Sequence, residues 1–385
     1  MKNTPLYTFI AFTVGGGIMS LPWAMMNSGW LLSLVVFCLI CFTYWIIYNS
    51  LIYAIEGSAN HNYAAVVKFY YGIWPARGVL VAICIHCVLL MSIHFIRIME
   101  LFRFVTVWIG IFSKEDFTLW VDTLIIMIIS IPLFIFGSYI RLHTLKHIPI
   151  FIFFAWVYLI LLAIKDILLG NVRETGPPAI EMRNSTDILW TAIESFNAIQ
   201  CVPIIYQETQ DSLLIRKSIT RGLIIAFLLF SVSGIIGSNF HKGKITELSL
   251  VHFSINNANL NRGIDYFMVI GILGIIVALV FSILLLISPA RLSVNQLAKG
   301  VYFSYNKTEH HIITYLILAT SMVLPLIFSF DLNDFMLLRK VSKLLFCLCY
   351  PFLIYMMVDK SLLKKIAFGV WIGFLFFACI YGMDW

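Results

Sequence analysis

Apolar runs of about twenty residues recur from one end of this sequence to the other, and they decide its fold class. A run of that length crosses the hydrocarbon core of a bilayer as an α-helix, in which every backbone polar group is bonded internally. Hydrophobic residues make up 61% of the 385 residues and charged residues only 12%, whereas about a quarter of a soluble domain is charged. We therefore predict an all-α polytopic membrane protein with the lipid bilayer as a partner.

Eleven membrane spans are predicted, and the loops between them are too short to hold a soluble domain. The spans lie near residues 5–28, 31–55, 79–99, 119–139, 148–169, 187–206, 220–240, 264–288, 312–330, 341–358 and 363–383. The first apolar run is too long for a cleaved signal sequence, so we expect it to be retained. The whole chain, 1–385, is thus predicted to be one membrane domain.

The basic residues near the spans predict the orientation of the chain. The segments RLHTLKH, IRKSITR and LLKK, which begin at residues 141, 215 and 362, fall on one side of the membrane under this threading. Lys and Arg favour the cytosolic side, so we expect a cytosolic N-terminus. The loop 170–186 is then external or lumenal and the loop 290–311 is cytosolic. The plasma membrane and a vacuolar or lysosomal membrane both remain open.

The first span contains an unusual interruption, since residues 13–30 read TVGGGIMSLPWAMMNSGW. Three consecutive glycines, Gly15, Gly16 and Gly17, are followed by Pro22. A helix broken inside the bilayer leaves backbone groups unbonded, which is tolerated only where the chain is buried in protein or lines a cavity. The alternative is that the glycines let another helix approach closely.

The sixth span is interrupted as well, since residues 190–210 read WTAIESFNAIQCVPIIYQETQ. Asn197 and Pro203 weaken the helix there. Spans one and six are five apart, so the two breaks correspond if the chain contains an inverted repeat. Corresponding breaks of this kind indicate the binding site of a transporter. We assign residues 1–169 to the first repeat, 187–358 to the second, and 363–383 to an extra helix.

The chemistry of such a break suits an amino acid. A half-helix that starts near Ile18 presents free N–H groups to a carboxylate, glycine lets the ligand approach the backbone, and the freed carbonyls can hold an ammonium group. We therefore predict an amino acid as the small-molecule substrate. The candidate substrate-binding residues are Thr13, Gly15, Gly16, Gly17, Ile18, Ser195, Phe196 and Asn197.

Three motifs resemble the amino acid/auxin permease family, a eukaryotic-type branch of the APC superfamily. They are GGGIMSLPWAMMNSGW (15–30), SFNAIQCVPIIYQE (195–208) and SPARLSVNQL (288–297), and they occur in the family's order. The resemblance implies a LeuT-like transporter with a 5+5 inverted repeat, broken helices one and six, and cotransport of H⁺ or Na⁺. A monomer is expected, with no cofactor besides the coupling ion.

The resemblance also implies a coupling site between spans one and eight. Its residues would be Ala11, Val14, Ala278, Phe281 and Ser282. Sodium-coupled members carry an asparagine where this chain has Ala11, while Ser282 keeps the expected hydroxyl. Half of the sodium signature is therefore missing, and we favour H⁺ over Na⁺.

Glu194 is the candidate proton carrier, because a carboxyl group at membrane depth is a functional candidate by default. The alternatives are that it faces an outer vestibule or pairs with Arg97 or Arg103. Arg97, Glu100 and Arg103 are themselves expected to form solvated i,i+3 pairs at the outer end of span three. An outer gate is the alternative for that set.

Other classes of function have weaker support in the sequence. An amino-acid-binding receptor or a facilitative channel-like protein on the same fold is the alternative to coupled transport. An enzyme is not expected, because the sequence has no HExxH, P-loop or nucleophile-elbow motif. The net charge of +7 is spread over short loops without a dense basic cluster, so no nucleic-acid partner is expected.

Overall fold

A computed structural model of the chain describes most of the predicted spans. The residues described are 4–14, 16–58, 60, 62–111, 119–139, 148–168, 178–181, 185–240, 266–300 and 307–327, together with 366, 369, 370 and 373. Within these ranges the regular structure is helical and no strand occurs. The all-α fold class predicted from the sequence is confirmed.

Twelve α-helices are described in these ranges. They are α1 (Thr4–Thr13), α2 (Leu21–Ser28), α3 (Trp30–Ser58), α4 (Tyr63–Tyr71), α5 (Ile73–Ile109), α6 (Leu119–Tyr139), α7 (Ile148–Leu168), α8 (Ser185–Phe196), α9 (Val202–Thr209), α10 (Ser212–Phe240), α11 (Tyr266–Lys299) and α12 (Lys307–Ile327).

The helices agree with the first nine predicted spans. Six segments are long and apolar enough to cross a membrane, among them Thr186–Thr209, which comprises α8, α9 and the turn between them, and the bent pair formed by α1 and α2 makes a seventh. Shorter apolar stretches lie in α6 (Thr123–Ser138) and α7 (Ile148–Leu162). The predicted spans at 341–358 and 363–383 lie outside the described residues.

Helix α4 lies where the sequence predicted only a loop. The Asn62 side chain caps it by accepting a hydrogen bond from the backbone N–H of Ala64, at 3.1 Å, and Gly72, whose φ is +87°, follows its last residue. The turn from Tyr63 to Val67 is buried, while Phe69 to Tyr71 are exposed. A nine-residue helix is too short to produce a membrane-spanning apolar run, which is why the sequence did not predict it.

Three glycines of α10 allow the broken first span to pack tightly against it. A Cβ atom added to Gly222 would lie 2.5 Å from the Phe9 ring, and one added to Gly237 would lie 2.4 Å from Cγ of Pro22. At Gly234 the added Cβ would lie 2.8 Å from the methyl carbon of Met25. Small residues at helix interfaces let backbones approach in this way, and here they hold α1 and α2 in the interior.

The turn between α2 and α3 is held by a short segment from the middle of the chain, residues 178–181. The backbone N–H of Trp30 donates to the carbonyl of Pro178 at 3.2 Å, and that of Leu31 to Ala179 at 3.0 Å. These bonds satisfy N–H groups at the start of α3 that have no partner within the helix. Gly29 has φ +87°, and a Cβ there would lie 2.7 Å from the Ala179 carbonyl oxygen, which explains the glycine in NSGW.

Candidate functional site

The first span is broken where its glycines stand. Helix α1 ends at Thr13, a 3₁₀ turn covers Gly16–Ser20, and α2 begins at Leu21. The axes of Pro5–Thr13 and Gly17–Ser28 differ by 42°. Pro22 lies in the first turn of α2, where its missing N–H costs nothing. Gly15 lies outside the described residues, and Gly16 and Gly17 are in the 3₁₀ turn rather than in an α-helix.

The second break has the same construction. Helix α8 ends at Phe196, two non-helical residues and the 3₁₀ turn Ile199–Cys201 follow, and α9 begins at Val202. Pro203 occupies the first turn of α9, just as Pro22 does in α2. Both α2 and α9 have 8 residues. The break falls within the predicted interval from Ser195 to Val202.

Two tyrosines of α3 complete the hydrogen bonding of the second break. The Tyr48 hydroxyl donates to the carbonyl of Phe196 at 2.6 Å and accepts from the N–H of Ala198 at 2.7 Å. The Tyr44 hydroxyl donates to the carbonyl of Ile193 at 2.9 Å. Sequence reasoning missed both residues. Their signal was a pair of tyrosines four residues apart on one face of the second span.

The two breaks contact each other at Gly17 and Ser195. A Cβ atom added to Gly17 would lie 2.6 Å from the Ser195 Oγ and 3.0 Å from its Cα. Real Cβ atoms essentially never approach other atoms so closely. Gly17 therefore has the close-packing role that the sequence left open as an alternative, and the contact it permits is between the two broken spans.

A cavity of about 40 Å³ lies where the breaks meet. Helix α1 and the first break contribute Ala11, Thr13 and Gly17, the second break contributes Asn197 and Gln200, and α11 contributes Ser282. About 10–15 Å³ is enough for one water molecule, so the space suits a few waters. The cavity is thus too small, in this conformation, for a whole amino acid.

A buried pair of opposite charges faces this cavity. Arg97 of α5 and Glu194 of α8 both line it, with 4.0 Å between Nη2 and Oε1. Only 3% of the Arg97 side chain and 7% of the Glu194 side chain are exposed. The prediction that Arg97 belongs to a solvated outer set was wrong, because Arg97 faces the interior side of α5. The pairing of Glu194 with Arg97, one of the alternatives for Glu194, is the arrangement observed.

Several polar atoms around the cavity have no hydrogen-bond partner among the residues that the structure describes. They are Nδ2 of Asn197, Nδ1 of His94 and Oγ of Ser195. His94 and Asn197 line the cavity and are 4% and 5% exposed. Buried polar groups are normally bonded to protein or to ordered water. Nδ2 of Asn197 and Nδ1 of His94 are therefore available to bind a ligand in the cavity, whereas Ser195 is not among the residues that line it.

The side chains of three predicted substrate-binding residues, Ile18, Ser195 and Phe196, do not line the cavity. Phe196 is fully buried and packs against Phe230, with ring centroids 5.1 Å apart, and against Phe37 at 6.4 Å. Its carbonyl rather than its ring takes part in the break. Ile18 is buried in the core beside the first break, and its side chain is not among those that line the cavity.

Only some of the predicted coupling residues line the cavity. Ala11 and Ser282 line the cavity together with Glu194. The Ser282 hydroxyl donates to the carbonyl of Ala278 at 3.0 Å, so its oxygen remains able to accept. Val14 is buried in the core, and the Phe281 ring packs edge-on against Phe151 at 5.6 Å.

The sequence profile of the family described as transmembrane amino acid transporter proteins matches residues 4–383. The chain belongs to this family. It is therefore a multi-pass integral membrane protein that transports a small molecule, and it is not an enzyme. No curated protein matches the chain.

Solved structures with a similar fold include the manganese transporter of Eremococcus coleocola in complex with an aromatic bis-isothiourea substituted compound, at a TM-score of 0.58 and 11% sequence identity. That comparison covers 99% of this chain and 85% of the other. A mutant of the same transporter gives a TM-score of 0.59 at the same identity and coverage. At this identity the likeness concerns the fold alone.

Proposed function

We propose that the chain is a secondary active transporter of amino acids, which works by alternating access with its substrate at the two helix breaks. The observation that carries the proposal is the meeting of both breaks in one buried cavity, beside polar atoms that have no partner among the described residues. Half-helices and freed carbonyls at the middle of the bilayer are how this fold binds small charged molecules.

In the proposed binding mode, the two ends of the amino acid zwitterion contact different parts of the breaks. The α-carboxylate accepts from backbone N–H groups of the 3₁₀ turn Gly16–Ser20, at the start of the second half-helix. The ammonium group lies against carbonyls freed by the breaks. Polar contacts from the second break come from Ser195 and Asn197, whose Oγ and Nδ2 atoms have no partner among the described residues.

The small volume of the cavity supports a mechanism with a change of conformation. Pockets that hold small-molecule ligands usually measure about 300–1,000 Å³, whereas this one measures about 40 Å³. The cavity must therefore widen to admit a substrate. The breaks at Gly16–Ser20 and Asn197–Cys201 are the natural hinges, because the backbone there is released from α-helical bonding.

We favour coupling to H⁺ over Na⁺. Ala11 offers no side-chain oxygen, and of the residues at the proposed sodium position only Ala11 and Ser282 line the cavity. Glu194 and His94 are the groups on the cavity wall that can exchange a proton. The groups around Glu194 there are Arg97 and His94 of α5, Asn197 and Gln200 of the second break, Thr13 and Ser282.

The test is uptake of twenty labelled amino acids into proteoliposomes, with pH and Na⁺ gradients imposed separately at fixed membrane potential. We expect accumulation of at least one amino acid above its external concentration, driven by the pH gradient and unaffected by replacement of Na⁺ with choline. In Glu194→Gln, accumulation should cease while exchange of substrate persists. Uptake that only equilibrates would indicate a facilitative protein, and binding without uptake would indicate a receptor. Dependence on Na⁺ with normal transport by Glu194→Gln would overturn the proton coupling.

A further inference from the structure

We propose that the cavity between the breaks binds the two charged groups of an amino acid on different walls, with the ammonium group held by the hydroxyl oxygens of Thr13 and Ser282. The inference rests on the proposed amino acid site. These two residues recognise the ammonium group of the substrate, at a position that the sequence suggested for a coupling ion.

The hydroxyl groups of Thr13 and Ser282 can only accept hydrogen bonds from a group in the cavity. The Thr13 hydroxyl donates to the carbonyl of Phe9 at 2.8 Å, and the Ser282 hydroxyl donates to that of Ala278 at 3.0 Å. A hydroxyl has one hydrogen and a carbonyl cannot donate, so both hydrogens are committed. Both side chains line the cavity, and the two residues are 2% and 6% exposed. They therefore offer lone pairs to a ligand there.

The end of α1 adds further acceptors to this wall. Helix α1 ends at Thr13, and its last three residues, Ala11 to Thr13, line the cavity. The last carbonyls of an α-helix have no partner within the helix, and they carry the negative end of its dipole. This wall therefore attracts a cationic hydrogen-bond donor.

The second break presents a donor instead, at Asn197. Its Oδ1 accepts from the backbone N–H of Ile199 at 3.3 Å, and this bond fixes the orientation of the carboxamide because an N–H cannot accept. The Nδ2 atom is buried and has no hydrogen-bond partner among the residues that the structure describes. A carboxylate only accepts, so it satisfies Asn197, whereas the hydroxyls on the other wall have no hydrogen left for it.

An ammonium group suits the acceptor wall better than Na⁺ does. Its three hydrogens match the two hydroxyl oxygens and one carbonyl at the end of α1. Ala11, on the same wall, adds no side-chain oxygen for a metal ion. An ammonium group is also about as large as a water molecule, so it fits a cavity of about 40 Å³ that is too small for a whole amino acid.

Substitutions that remove one hydroxyl test the assignment. In Ser282→Ala and in Thr13→Val the ammonium group loses one acceptor, whereas Thr13→Ser keeps it. A hydrogen bond to a charged group is strong, so each loss should weaken amino acid binding by about tenfold. Ser321→Ala is the matched control. Ser321 of α12 is also buried and donates to the carbonyl of Ile317 at 2.8 Å, but it does not line the cavity.

The experiment measures binding to purified protein at fixed pH without ion gradients. The probes are the twenty amino acids and, for the one that binds most tightly, the 2-hydroxy acid with the same side chain, in which a neutral hydroxyl replaces the ammonium group. We expect the wild type to prefer the amino acid by about a hundredfold. Ser282→Ala and Thr13→Val should reduce this preference to about tenfold, while Thr13→Ser and Ser321→Ala keep it. Replacing Na⁺ with choline should leave the affinities unchanged.

The ratio of the two affinities separates recognition of the ammonium group from a structural role, because a general disturbance of the site weakens both probes alike. Each variant must first elute as a monodisperse peak. Should Ser282→Ala fail to fold, Thr13→Val decides the question, since valine has the shape of threonine and lacks only its hydroxyl.

Three results would overturn the inference. One is a wild type that binds the hydroxy acid as tightly as the amino acid. Another is a pair of folded variants, Ser282→Ala and Thr13→Val, that keep the wild-type preference. The third is binding that requires Na⁺ and weakens alike for both probes in these variants, since the hydroxyls would then bind the ion. In each case an amino acid still binds, so the proposed function survives. A wild type that binds none of the twenty amino acids would instead refute the proposed function itself.

Discussion

At Gly17, the absence of a side chain determines how two distant parts of the chain meet. The backbone of the first break lies so close to Ser195 that one added carbon atom would overlap with it. Ser195 belongs to α8, which is broken two residues later. A single position thus sets the separation of both breaks and the shape of the cavity between them.

A methyl group at this position should therefore impair the site. We expect Gly17→Ala to weaken substrate binding at least tenfold, because the new Cβ would lie 2.6 Å from Ser195 Oγ and force the breaks apart. Binding of labelled substrate to purified protein measures the effect. Gly274→Ala, where an added Cβ meets nothing within 4 Å, is the control and should bind normally. Equal affinity in the two variants would remove Gly17 from the site.

Tyr48 offers a second prediction at the scale of one residue. Removing its hydroxyl in Tyr48→Phe leaves the Phe196 carbonyl and the Ala198 N–H without their bonds. Buried unsatisfied groups cost about 1–3 kcal/mol each, so we expect a clear fall in the melting temperature in detergent. Tyr53→Phe on the same helix is the control. Tyr53 is exposed and Arg216 lies over its ring, 3.6 Å from the ring centroid, and phenylalanine keeps that ring.

Among the helices, α10 provides the surface on which the broken first span rests. Its glycines lie against Phe9 of α1 and against Pro22 and Met25 of α2. The Pro22 ring is rigid and cannot swing aside, unlike the side chain of Met25. The tolerance of α10 for a larger residue should therefore differ from one glycine to the next.

We expect Gly237→Ala to destabilise the protein by about 1–3 kcal/mol, the usual cost of overpacking, since its Cβ would lie 2.4 Å from Pro22. Gly234→Ala should cost less, because Met is flexible and adapts its shape. Thermal unfolding of both variants in the same detergent measures the difference. The ranking is contradicted if Gly234→Ala unfolds at the lower temperature.

The sequence predicted the helices better than it predicted the walls of the site. Long apolar runs and paired Gly, Asn and Pro signals are local, so nine spans and both breaks were predicted near their observed positions. The Arg97–Glu194 pair joins residues almost a hundred positions apart, and the facing of Arg97 depends on how α5 packs. The hydrogen bonds of Tyr48 to the second break, and those of residues 178–181 to the start of α3, likewise join distant segments of the chain. No periodicity in the sequence encodes them.

For the molecule as a whole, the predicted membrane topology determines from which side each loop can be glycosylated or labelled. Three candidate membrane spans lie between Ser185 and Lys299, namely α8 with α9, α10 and α11, so the loops before and after them should lie on opposite sides. We expect the sequon at Asn184 to be accessible from outside or from the lumen, and the one at Asn306 from the cytosol. Both positions lie outside the described residues. Labelling of single cysteines introduced at 184 and 306 measures this, and labelling of both from one side would refute the threading.

The attachment of residues 178–181 to the start of α3 has a consequence for the cost of substrate capture. The same end of the molecule carries a contact between Asn27 of α2 and Asp187 of α8, at 3.4 Å. The half-helices that flank the two breaks on this side, α2 and α8, are therefore linked to each other, and residues 178–181 bond to the end of α2 and the start of α3, so we expect α2 and α8 to move together. If α2 and α8 move together, a substrate that contacts both breaks has to fix the orientation of one unit rather than that of each half-helix separately. The entropy lost on binding is correspondingly smaller, because the protein has already ordered part of the site.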